Sequence, residues 1–140
     1  MARLQSKALV WVLRQGASGA EVLLLRRPER RGGGMHPVTG KAEPGEDPAV
    51  AAAREAEEET GITGSIADLG YLHEYTSPKG KPIREHAFLL SAPARADVRL
   101  SDEHDDFAWM DPPSARASLT WPAHRKSLDL ALQRFVRGHG

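Results

Sequence analysis

Between residues 28 and 47 the hydrophobic patterning of this chain stops. Pro28 to Asp47 is about twenty residues of glycine, proline and charge, including Gly32-Gly33-Gly34, set between strand-like runs and a strongly helical segment. Connections this long without structure of their own are uncommon in small domains and are either functional or disordered. The helical segment after it favours function. Asp47-Pro48 supplies a capping carboxylate and a proline for a first helical turn. Ala49 to Thr60 is rich in Ala and Glu, both strong helix formers, and Gly61 supplies the stop.

The flanking segments read as strands. Apolar runs at Ala8 to Leu13 and Glu21 to Leu25 are joined by Gln15-Gly16-Ala17-Ser18-Gly19, the chemistry of a hairpin turn. Ile66 to Tyr75 and Arg84 to Leu90 form a second pair around a turn at Ser77-Pro78-Lys79-Gly80. Val98 to Leu100 and Phe107 to Met110 read as two further short strands. A last helix runs from about Trp121 to Arg137, with Leu128, Ala131, Leu132, Phe135 and Val136 on one apolar stripe. Strands interrupted by one central and one terminal helix predict an α+β fold, a mixed β-sheet in an α/β/α sandwich. At 140 residues the expectation is one domain, 1–140.

Nineteen basic side chains balance nineteen acidic ones, which argues against a globally basic nucleic-acid binder. No basic stripe with interleaved aromatics appears either, so no nucleic-acid partner is expected. The absence of Cys removes disulfides, a thiol nucleophile and thiolate metal sites. The run Ala8 to Leu13 is too short to span a bilayer. A soluble cytoplasmic protein with no membrane partner, monomer or homodimer, is the expectation.

On the central helix, at about 100° per residue, Glu55, Glu58 and Glu59 fall within roughly a third of a turn. Ala49, Ala53 and Ala56 lie opposite, where small residues would let the helix pack closely on a sheet. Carboxylates at i,i+3 and i,i+4 repel. Glu57 adds to them, and Arg54 is the one cation among them. A solvated acidic face is the plain alternative, but such faces usually mix signs, and only Arg54 and Glu58 do so here. A site for a hard divalent cation that bridges to phosphates, such as Mg²⁺, accounts for both the cluster and the loop before it.

Gly40-Lys41-Ala42-Glu43-Pro44-Gly45-Glu46, seven residues, then Arg54-Glu55-Ala56-Glu57-Glu58-Glu59-Thr60-Gly61-Ile62 resembles the Nudix box. All seven fixed identities of that pattern are present at the right spacing, with Ala56 where a bulkier aliphatic is usual and Thr39 where many members have a second glycine. The resemblance implies a Nudix fold and a Mg²⁺- or Mn²⁺-dependent hydrolase of nucleoside diphosphate derivatives, a small-molecule nucleotide substrate being its partner. It also implies roles. Glu55, Glu58 and Glu59 become metal ligands, with the Thr39 carbonyl as a further one, and Arg54 orients the carboxylates. Glu46 locks the loop to the helix, while Gly40 and Gly61 serve backbone geometry. Nudix modules that only bind nucleotides as regulators typically lose box carboxylates, and this chain keeps them all.

Outside the box, Arg27 adjoins an anchoring apolar run and is the phosphate candidate among Arg26, Arg27, Arg30 and Arg31. His36 is a loop residue within reach of substrate, by its position before the box. Trp109 and Trp121 read as packing residues and Tyr75 as a strand position. Val38-Thr39-Gly40 and Leu119-Thr120-Trp121 are similar to dihydroneopterin triphosphate pyrophosphatases, which also cleave dATP. Arg99-Leu100-Ser101-Asp102-Glu103-His104 with Trp109 is similar to diadenosine tetraphosphate hydrolases. In related enzymes a glutamate of such a Glu-His loop reaches the metal, which makes Glu103 a candidate ligand or general base, with Glu58 the other candidate base.

Overall fold

The computed structural model describes residues 4–139. Its centre is a strand, β1 (Gln5–Gly16), whose run Ala8 to Leu13 is buried on both faces. A strand covered on both sides has no polar alternation, which is why the run is continuous in sequence. Ala8, Val10 and Val12 point into one core, whereas Leu9, Trp11 and Leu13 point into the other. Helix α1 (Pro48–Thr60) covers the first face; α2 (Pro112–Ala117) and α3 (Pro122–His139) cover the second. The expected sandwich is therefore the one observed.

Along one edge β1 pairs in parallel with β6 (Pro82–Ser91), from Gln5 opposite Ile83 to Leu13 opposite Ser91. The other edge is shared. Its first part pairs antiparallel with β4 (Val38–Lys41), Lys7 opposite Lys41 through Val10 opposite Val38. Its last part pairs with β2 (Gly19–Arg26), Leu13 opposite Val22 onward, as the predicted hairpin. Strand β2 also pairs with β3 (Met35–His36) and β7 (Asp106–Met110), and β5 (Ser65–Thr76) lies outside β6. The sheet is thus mixed and forks at β1, where its partner changes from β4 to β2.

The ends of α1 obey the expected chemistry. The Asp47 carboxylate accepts a hydrogen bond from the Ala49 amide at 2.8 Å, and Gly61, at φ 74°, donates its N–H to the Glu57 carbonyl at 2.8 Å. On the far face Trp11 Nε1 donates to Ser127 Oγ at 2.9 Å, tying α3 to β1.

Three expectations need correction. The segment Val98 to Leu100 is not a strand: Val98 and Leu100 pack on the first core while the Arg99 amide donates to the Thr60 carbonyl at 2.8 Å. Its apolar side chains cover the end of α1 rather than extend the sheet. The rotation of α1 also differs, because the buried alanines are Ala51, Ala52 and Ala56 while Ala53 is exposed. Trp121 is 59% exposed, whereas Trp109 is half-buried and packs against the first core, with the Arg14 guanidinium 4.0 Å from its ring centroid.

Candidate active site

The rotation of α1 separates the three carboxylates that sequence places on one face. Glu59 is buried at 2% exposure, Glu58 is exposed, and Glu55 lies between them. The helix thereby carries one carboxylate down to the sheet and leaves another at the rim.

Gly40 on β4 faces this helix. A Cβ there would collide with the Cγ and Cδ of Glu55, so only glycine lets that side chain lie over the strand. Arg54 braces the group from outside. Its Nε and Nη2 each donate at 2.9 Å to one of the two Glu46 oxygens, its Nη1 donates to Glu55 at 2.9 Å, and Nη2 also reaches the Lys41 carbonyl at 3.1 Å. Glu58 is held more loosely by Nη1, at 3.3 Å. The Arg54 fork and the Glu43 amide together hold the Glu46 carboxyl down at about 2, and the same pairing raises Arg54 above its ordinary value. The orienting partner of Arg54 is therefore mainly Glu46, with Glu58 a minor one.

Beside the fork in the sheet lies a cleft of about 650 Å³. Glu55, Glu59 and Glu103 line it with Thr39 and Gly40, and Lys7, Arg27, Arg31 and Lys41 line it as cations. His104 completes it. The structure thus brings Arg27 and Glu103 to the box residues from distant positions in sequence. It does not bring all the candidates. Glu58 is not among the described residues of the lining, and neither is His36, whose Nε2 lies 3.0 Å from the Gly33 carbonyl and braces the glycine turn.

Sequence reading missed Lys7, Lys41 and His104. Lys7 and Lys41 face each other across β1 and β4, a pairing that no linear motif announces. His104 was legible only as the neighbour of Glu103. It is 91% buried, and its Nδ1 and the Glu59 Oε2 are buried atoms without a hydrogen-bond partner. Burial, a hydrogen bond that the protonated Glu59 carboxyl donates to Glu55, and the charges of Glu55 and Glu103 all push the Glu59 carboxyl up. Burial and the nearby Arg27 push His104 down.

A buried carboxylate with an unmatched oxygen, crowded by two others, is unfavourable unless a cation joins it. Glu59, Glu103 and His104 each place one ligand atom within 4.8 Å of the others, so the donor set fits a divalent ion.

The NUDIX domain family model matches residues 3–131. The chain belongs to the NUDIX domain family. Among solved structures, a C. elegans Ap4A hydrolase binary complex is similar with a TM-score of 0.80 and 28% identity, over 96% of this chain and 98% of that one. A MutT protein from Methanosarcina mazei Go1 has a TM-score of 0.71 and 30% identity over 99% and 96% of the two chains. A curated relative, an octanoyltransferase of Myxococcus xanthus, is 44% identical over 115 residues, 80% of this chain. This Nudix chain spans 32% of that protein's length, so the likeness is to one part of it. No helix among the described residues is long and apolar enough to cross a membrane.

Proposed function

We propose that this Nudix hydrolase is a divalent-cation-dependent pyrophosphohydrolase that cleaves a pyrophosphate linkage within a nucleoside di- or triphosphate derivative. The single observation that carries the reading is the opposition of charge across one cleft: Glu55, Glu59 and Glu103 against Lys7, Arg27, Arg31 and Lys41. A phosphate chain is the common ligand that suits both sides, cations binding its oxygens directly and carboxylates binding them through metal.

Glu59, Glu55 and Glu103 would hold the ion, with the Thr39 carbonyl beside them on β4. When bound, it supplies charge neutralisation on phosphate oxygens and acidifies the attacking water. The protein's own residues do the rest. Arg54 and Glu46 fix the carboxylates, so little reorganisation remains for the moment of reaction. Arg27, just past β2, and Lys7, on β1, orient the phosphates against them. A proton leaving the water needs a carboxylate free of metal, which is the rim residue Glu58, or Glu103 where it does not hold the ion.

Four cations around one cleft suit a substrate with three or more phosphates. That description covers dinucleoside polyphosphates, which the likeness to an Ap4A hydrolase supports, and the triphosphates of a deoxynucleoside or dihydroneopterin. The deciding experiment incubates the protein with diadenosine tetraphosphate, dATP, dihydroneopterin triphosphate, ADP-ribose and nucleotide sugars, with Mg²⁺ or Mn²⁺, and identifies products. Two nucleotides from the dinucleotide, or a monophosphate plus pyrophosphate from a triphosphate, support the reading. Full activity in excess chelator, or orthophosphate release from simple monoesters alone, overturns it.

A further inference from the structure

The buried histidine at the floor of the cleft has no assigned task in the box chemistry. His104 Nδ1 is 3.9 Å from Glu59 Oε1, too far for a hydrogen bond, and neither Nδ1 nor Glu59 Oε2 has a partner. The side chains of His104 and Glu59 are only 6% and 3% exposed, so water does not readily satisfy these atoms. Both belong to a group of three in which Glu59, Glu103 and His104 each offer one ligand atom within 4.8 Å of the others.

We propose that His104 is a metal ligand through Nδ1, and that with Glu59 and Glu103 it forms a mixed nitrogen–oxygen site that favours first-row transition ions, Mn²⁺ included, over Mg²⁺. The inference rests on the hydrolase reading above and deepens it by naming the metal class. Ligand atoms about 2.1 Å from an ion stand roughly 3 Å apart when adjacent and about 4.2 Å apart when opposite. A group whose ligand atoms lie within 4.8 Å of one another therefore closes on an ion with a small side-chain movement. The donor set decides the ion. Mg²⁺ takes oxygen and keeps its waters, whereas an imidazole nitrogen favours first-row transition metals, of which Mn²⁺ is the one nearest Mg²⁺ in its taste for carboxylates.

The test uses the full chain without substrate. Mn²⁺ is titrated in and followed by electron paramagnetic resonance, and electron spin-echo modulation is recorded on the bound ion. The expected result is ¹⁴N modulation from a directly bound imidazole, lost in His104→Asn. That variant places an oxygen near the site of Nδ1, so Mn²⁺ affinity should fall about tenfold or more while Mg²⁺ affinity changes far less. A histidine that merely props up Glu59 would give no nitrogen signal. Mn²⁺ bound without ¹⁴N modulation overturns the ligand assignment and leaves the hydrolase reading intact. No Mn²⁺ binding at all overturns both. Where the variant fails to fold, the wild-type spectrum decides alone.

Discussion

Arg54 and Glu46 form a two-point ion pair, Nε and Nη2 of one each 2.9 Å from an oxygen of the other, across eight residues of chain. One partner sits on α1 and the other in the loop before it, so the pair fixes the guanidinium whose Nη1 holds the Glu55 carboxylate at 2.9 Å. Lys keeps the charge of Arg54 but has no planar fork. Arg54→Lys should lower turnover about 10–100-fold, as for other groups that orient metal ligands, while the circular dichroism melt stays close to wild type. Unchanged kinetics in that variant would show that the fork does not matter.

Glu59 is the carboxylate with most to gain from neutralisation in the metal-free protein, since it is buried and crowded by Glu55 and Glu103. Glu59→Gln should abolish metal-dependent hydrolysis yet leave the metal-free thermal midpoint unchanged or raise it by roughly a few degrees. Scanning calorimetry in chelator checks this. A large drop in midpoint would make Glu59 a structural residue.

Much of the fold and the box is readable from residue order because the determinants are local. Asp47, Pro48 and Gly61 bound α1 by capping chemistry, and the spacing of Gly40, Glu46, Arg54, Glu55, Glu58 and Glu59 marks the box. Other features are hidden. Strands β3 and β4 are short and lie inside the glycine-rich segment, where they form only because β2 and β1 offer free edges. Helix α2 carries the same Asp-Pro start as α1, with Asp111 accepting from the Ser114 amide, but at six residues it shows no hydrophobic period. The rotation of α1 depends on what the sheet presents to it, so a helical wheel alone put Ala53 inside and Glu59 outside. Lys7 and Lys41 reach the cleft through the long-range pairing of β1 with β4, and His104 from the loop before β7, neither of which linear spacing encodes.

Glu103 stands more than forty residues beyond the box yet lines the same cleft, with a ligand atom within 4.8 Å of those of Glu59 and His104. As a ligand it should weaken metal binding about tenfold or more when changed to Gln. As a base it should instead lower turnover about 10²–10⁴-fold at saturating metal with affinity unchanged. Titrating Mg²⁺ and Mn²⁺ in a turnover assay separates the two, and the site geometry favours the first. Wild-type values of both would reduce this loop to a turn.

His124 packs edge-on against Trp11, ring centroids 6.3 Å apart, and burial lowers it to about 4. Its folded value lies below the ordinary 6.5, so between the two the unfolded chain binds a proton that the folded chain refuses. Its contribution to stability is complete above pH 6.5 and is lost as the pH falls toward 4, by about 2 kcal/mol after allowance for its partial exposure. Urea unfolding across that window should show a shallower acid loss in His124→Phe than in wild type. Parallel curves would mean that His124 titrates alike in both states.

Gly40 gives the sharpest separation of chemistry from stability. An added Cβ meets the Glu55 side chain, which is flexible and rooted on a different element, so the fold can yield by turning Glu55 away. The backbone of β4 need not move, because Gly40 is paired opposite Ala8 in regular register and has no positive φ to preserve. Gly40→Ala should therefore cost about 1 kcal/mol or less in stability, within the ordinary range for single substitutions. Turnover should fall more than about tenfold, since a displaced Glu55 leaves both the Arg54 brace and the cleft. Denaturant unfolding and steady-state kinetics on the same preparation test the pair of expectations. An active Gly40→Ala protein would mean that Glu55 does not need its place over β4, whereas an unfolded one would move Gly40 from the site to the scaffold.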